Sequence, residues 1–175
     1  MSQLWGKPWI TREYENQCNE IRRQNSEYLS LFEEDMRKSS LTEKTIRRHL
    51  NNADFFINEF LLLADPIPMD TGMSRLDSFL GDFFIRKCMW STPANIKSTA
   101  ASIKKFYKSM MDHNKVDASD YRKLCEEIKV SMEYWQETCA RYNDCDSPNP
   151  FFFWKDEAYE TWLDSKQEFC HLPCS

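Results

Sequence analysis

Two runs of cations sit at helical spacing in the middle of this chain. Lys44, Arg47 and Arg48 fall in the first turns after Thr42, with Thr45 among them and Asn51 continuing the row one turn on. Lys97, Lys104, Lys105 and Lys108 follow Ser91-Thr92-Pro93, with Asn95 and Ser98 interspersed. Such groups make charge-assisted hydrogen bonds to anionic oxygens, above all phosphate. Cations at a helix start also oppose the macrodipole, which favours Asp and Glu there, so the three after Thr42 call for an anionic partner. With Ile96 set at zero and about 100° per residue, the four lysines lie between about 80° and 180°, beside the apolar stripe. A solvated face is the ordinary role of surface lysines, and either row alone would mean no more than that. Two rows on neighbouring helices make phosphate contact the sharper reading.

Other chemistry has weaker support. The three glycines, Gly6, Gly72 and Gly81, stand too far apart for either phosphate-cradling glycine motif. Cys170, His171 and Cys174, with Cys139 and Cys145 upstream, are the only set resembling zinc ligands. They lack paired C-x-x-C knuckles, and Cys139 belongs to an apolar helix stripe, so no metal or other cofactor is expected. Asp77 and Asp82 read as solvated or paired carboxylates, and no Ser/His/Asp or Cys/His grouping can be defended from sequence distance.

The chain has 175 residues, 41% hydrophobic and 14% aromatic, enough to bury a core without disulfides or metal and too apolar for wholesale disorder. Seven scattered cysteines and no apolar leader point to a reducing, cytoplasmic setting. The longest apolar run, Phe60 to Ala64, is far short of the roughly 20 residues of a membrane span. The net charge of −5 conceals an uneven distribution. Residues 36–115 carry 13 basic and 8 acidic side chains, a surplus of five positive charges, between flanks of −3 and −7. A basic centre between acidic flanks fits a polyanion, with the flanks opposing it.

The elements that must position these cations are helices. Thr11 caps a first helix over residues 12–38, with Tyr14, Cys18, Ile21, Tyr28 and Phe32 on one face. A second runs from Thr42 to Ala64 on the stripe Ile46, Leu50, Ala53, Ile57, Phe60, Leu61 and Ala64, until Pro66 and Pro68 stop it. A third spans about 74–89 through Leu76, Phe79, Leu80, Phe83 and Phe84. Thr92-Pro93 opens a fourth, ending near Asn114, and Asp117 a fifth, reaching Asn143 through Tyr121, Leu124, Ile128, Trp135, Cys139 and Tyr142. The run Phe151 to Trp154 then docks as a loop before a last helix from about Asp156, which brings Trp162 and Phe169. No period-two alternation or hairpin turn appears, so the expected fold is all-α, a bundle of five to six helices. Leu50, Ile57, Leu80, Phe83, Ile103, Tyr107, Ile128 and Trp135 should meet in one core.

Leu41-Thr42-Glu43-Lys44-Thr45-Ile46-Arg47-Arg48-His49-Leu50, followed by Asp54, Phe56 and Phe60, resembles the first helix of the core-binding, SAM-like domain of tyrosine recombinases and phage integrases. Leu76 to Leu80, Ser91 to Lys97, Ser102 to Lys108 and Asn114 to Val116 resemble the rest of it, so the likeness covers about residues 41–117. It implies a four-helix core preceded by a packed helix in 1–40 and followed by an acidic helix, aromatic loop and last helix in 118–175. It also implies that the starts of two helices face duplex DNA, with contacts from Lys44, Thr45, Arg47 and Arg48 and from Thr92, Asn95, Lys97 and Ser98. The charge rows add Asn51, Lys104, Lys105 and Lys108.

Members of that family cut DNA with a second domain carrying a cationic cluster, a His-x-x-Arg pair and a tyrosine nucleophile. His49, His113 and His171 are each followed, three residues on, by something other than arginine. Without a cationic cluster no tyrosine here is a credible nucleophile. The expectation is a non-enzymatic DNA-binding or recombination-accessory protein. The alternatives are a protein-interaction adaptor that docks a partner through the acidic C-terminal region and the Phe151 to Trp154 run, and the N-terminal part of a truncated integrase.

Overall fold

The computed structural model describes residues 11–152, and among them every regular element is helical. Helix α1 spans Arg12–Lys38, α2 Glu43–Asp54, α3 Phe84–Lys87, α4 Pro93–Asp112 and α5 Ala118–Asn143. The starts are chemically determined. Thr11, Thr42 and Thr92 each accept a hydrogen bond from the backbone N–H three residues on, at 3.2, 3.3 and 3.1 Å, and Pro93 opens α4 where its missing N–H costs nothing. α1 ends at Ser40 and α4 at Asn114, both with positive φ, 55° and 56°, which turns the chain back.

α4 is the central element, packed against α1, α2 and α5. Its Ile96, Ala100, Ile103, Phe106, Tyr107 and Met110 are all fully buried. Trp135 and Ile128 of α5 and Phe32 and Met36 of α1 join the same cluster, so the first and last helices complete the core built by the middle of the chain. Of the eight core residues expected from sequence, Leu50 and Phe83 lie at its edge, half-buried. His49 takes the buried place on α2 beside Ile46 and Ala53.

The second and third helices depart from simple periodicity. After Asp54 the chain continues as a π-helix over Phe55–Phe60, and the expected third helix is a 3-10 turn at Gly72–Arg75, a π-helix at Ser78–Phe83 and only then α3. In a π turn the bond spans five residues, as from the Leu61 N–H to the Phe56 carbonyl at 3.0 Å. Residues five apart then share a face. Phe55 and Phe60 of one segment and Phe79 and Phe84 of the other join Phe56 and Phe83 in one aromatic cluster, with Phe60 and Phe79 centroids 4.9 Å apart and Phe56 and Phe79 5.0 Å apart. A stripe drawn at 3.6 residues per turn cannot anticipate this. The second helix consequently stops at Phe60, leaving Leu63 and Ala64 exposed, and the third stops at Lys87, leaving Met89 in solvent.

Phe151 docks as expected, edge-on to Tyr142 and beneath the Arg86 guanidinium at 5.3 Å, whereas Phe152 points outward. Phe153, Trp154, the last helix with Trp162 and Phe169, and the Cys170, His171 and Cys174 cluster lie outside the described residues.

Candidate nucleic-acid interface

The first turns of α2 form a shallow, open depression lined by Glu43, Lys44, Arg47, Arg48, Asn51 and Asn52. Glu43, the one acid there, is drawn aside by Arg37 of α1, which also binds Glu33 at 2.6 Å. Lys44, Arg47 and Arg48 are exposed and have no carboxylate within ion-pair distance among the described residues, and the same holds for Lys97, Lys104 and Lys105 on α4. Elsewhere cations are paired, as with Arg23 and Glu20 at 2.6 Å, Arg86 and Asp82 at 2.5 Å, and Lys123 and Asp120 at 2.8 Å. Lys108 belongs with the paired group, held by Asp112 at 2.5 Å.

A polar junction that sequence reasoning missed joins the two rows. Ser102 Oγ on α4 donates to the Ser98 carbonyl at 2.9 Å, so its oxygen accepts from Asn52 Nδ2 and from the Nδ1–H of buried His49, each at 2.9 Å. That arrangement places the His49 proton on Nδ1. Burial pushes the His49 pKa down, and the positive charges of Arg48 and Lys105 push it further the same way. One cation from each helix thus flanks a neutral imidazole. The signal in sequence was the position of His49 on the buried side of α2, one turn from Ile46, where an unpartnered imidazole would be costly.

Phe55, at the far end of α2, meets Trp90 just before α4, while His49 and Asn52 meet Ser102 well inside it. The two helices therefore run in opposite directions, and their starts lie at opposite ends of this face rather than side by side. Arg48 and Lys105 come together, whereas Thr92, Asn95, Lys97 and Ser98 lie towards the other end. Several of the polar candidates have structural duties. The Thr92 hydroxyl caps α4, Asn95 Nδ2 donates to the Trp90 carbonyl at 2.7 Å, and the Thr45 hydroxyl lies 2.9 Å from that of Thr42. Asn51 is exposed in the α2 depression.

The fold does assemble a serine, a histidine and an aspartate, but in the wrong order for catalysis. Asp35 Oδ2 accepts from Ser109 Oγ at 2.6 Å and pairs with His113 Nε2 at 3.0 Å, so the carboxylate rather than the imidazole stands in the middle. The Ser109 hydroxyl holds Asp35 below the usual carboxylate range, with His113 adding to it, and the group fastens the end of α1 to α4. Asp77 and Asp82 are engaged by Trp135 and Arg86. Among the described residues no three His, Cys, Asp or Glu side chains stand close enough to hold a metal ion, with Cys139 buried and Cys145 exposed. No described helix is long and apolar enough to cross a membrane.

No protein-family model, curated protein or solved structure matches this chain. The surface itself must carry the functional argument.

Proposed function

We propose that this chain is a non-enzymatic DNA-binding protein that holds duplex DNA by its phosphates along the α2–α4 face. The observation that carries the reading is the set of six exposed cations on two packed helices that lack carboxylate partners while most of the cations elsewhere on α1 and α3 are paired. Counterion release from DNA phosphates supplies the driving force, and contacts of this kind position a protein without reading sequence. The recombinase-like motifs point the same way, and a role as recombination accessory rests on them alone.

The test compares duplex-DNA affinity in about 50 mM salt for the native chain and an Arg47→Ala/Arg48→Ala/Lys105→Ala variant of unchanged melting temperature. The expected result is weaker binding and a salt slope shallower by about 0.9 for each phosphate contact removed. Equal affinities would make the rows ordinary surface. The adaptor reading would then gain, because Val130 and Tyr134 stand exposed one turn apart on α5, 69% and 58%, where a protein partner could dock.

A further inference from the structure

Met89 is fully exposed and Trp90 62% exposed, side by side at the tip of the loop that enters α4. This loop is held firmly from below. Cys88 and Ser91 on either side are buried, the Ser91 N–H donates to the Cys88 carbonyl at 2.9 Å, and Ser91 Oγ donates to the Ile85 carbonyl at 3.1 Å. Asn143 of α5 grips the Ser91 carbonyl at 2.7 Å, and Asn95 grips that of Trp90 at 2.7 Å. The Trp90 ring meets Phe55 at 6.4 Å between centroids, and most of the remaining ring faces solvent. A rigid backbone that holds two large apolar side chains in water loses their burial energy, yet presents them without further ordering cost.

The surroundings select the ligand. Residues 83–111 contain no Asp or Glu and six cations, of which Lys87, Lys97, Lys104 and Lys105 have no ion-pair partner among the described residues. Lys97 follows one turn into α4, and Lys105 stands roughly 20 Å from the tip at 1.5 Å per residue. An apolar tip at one end of a long, acid-free cationic strip matches a linear polyanion with flat apolar faces. Nucleic acid has that chemistry, offering phosphates along the strip and a base face to the indole.

We propose that Trp90, supported by Met89, stacks on an unpaired base of a DNA whose phosphates lie along the α4 cations, so that the preferred substrate is duplex interrupted by unpaired nucleotides. This rests on the phosphate-binding reading above. Because both side chains are exposed, their replacement should leave the fold intact.

The experiment measures affinity for a continuous duplex and for the same duplex with a short central bubble, using native protein and the Trp90→Ala, Trp90→Phe and Met89→Ala variants at equal melting temperature. Native protein should prefer the bubble. Trp90→Ala should lose that preference by about five- to a hundredfold, and Trp90→Phe should keep most of it. Equal affinity of native protein for both DNAs, or a bubble preference untouched in Trp90→Ala, overturns the stacking role while phosphate binding stands. Failure to bind either DNA overturns both readings. Tight binding to anionic lipid vesicles that is lost in Trp90→Ala, without bubble preference, would make the tip a membrane contact instead.

Discussion

Trp135 Nε1 donates to Asp77 Oδ1 across 2.7 Å, and the indole lies so close to Gly81 that a Cβ there would stand 2.9 Å from its Cδ1. The helix furthest along the described chain is thereby locked to the aromatic segment near its middle. Asp77→Ala leaves the indole N–H of a fully buried ring without its partner and should cost about 1 to 3 kcal/mol. Gly81→Ala forces the ring to move and should cost a similar amount by overpacking. Urea melts of both variants check this, and a combined loss well short of the sum would show that the two act on one contact.

A Cβ at Gly72 would stand only 2.2 Å from Leu61 Cδ1. Gly72→Ala should therefore destabilise by about 1 to 3 kcal/mol. Leu61→Ala should cost about 2 to 5 kcal/mol through the cavity left. The double variant should lose less than the two singles together, because the added methyl partly fills the space vacated. Strict additivity in thermal melts would refute this packing relationship.

His49 gives the interface a pH signature. Its folded pKa lies below the usual value, so at mildly acidic pH the unfolded chain binds the proton and the native one resists it. Its contribution to stability is complete above about pH 6.5 and declines as pH falls towards the folded pKa. Bound DNA, by neutralising Arg48 and Lys105, should move the His49 titration upward. Imidazole proton shifts followed by NMR with and without duplex would show it, and a titration indifferent to DNA would separate His49 from the binding face.

Removing residues 118–175, which would strip an acidic flank from the basic face, takes Trp135, Ile128 and Leu124 out of the core. The truncated chain should lose its cooperative melt rather than bind DNA more tightly. Circular dichroism during heating decides the point. A truncated chain that melts as sharply as the native one would show that residues 41–117 stand alone.

Helix starts could be read from the sequence because caps are local chemistry: Thr11, Thr42 and Thr92-Pro93 each satisfy backbone donors within their own turn. The angular placement of Lys97, Lys104 and Lys105 could be read for the same reason, since a helix fixes it. What the residues could not disclose was relative placement. Nothing local in Lys44 or Thr92 states that their helices run in opposite directions, and nothing in Ser102 names His49 as its partner 53 positions away. The π segments were hidden because Phe55, Phe56 and Phe60, taken alone, satisfy a 3.6-residue period almost as well as a wider one.

Those two wide turns also fix the length of the chain. Each hydrogen bond at Phe55–Phe60 spans one residue more than in an α-helix, so deleting a single residue there would let the helix close in the ordinary way. Everything downstream would then be reset by about 100° around the axis, carrying Leu61 and Leu62 away from the core they now fill. Insertions and deletions are tolerated in loops such as 63–71, but between Asp54 and Leu61 the count of residues is itself a structural element.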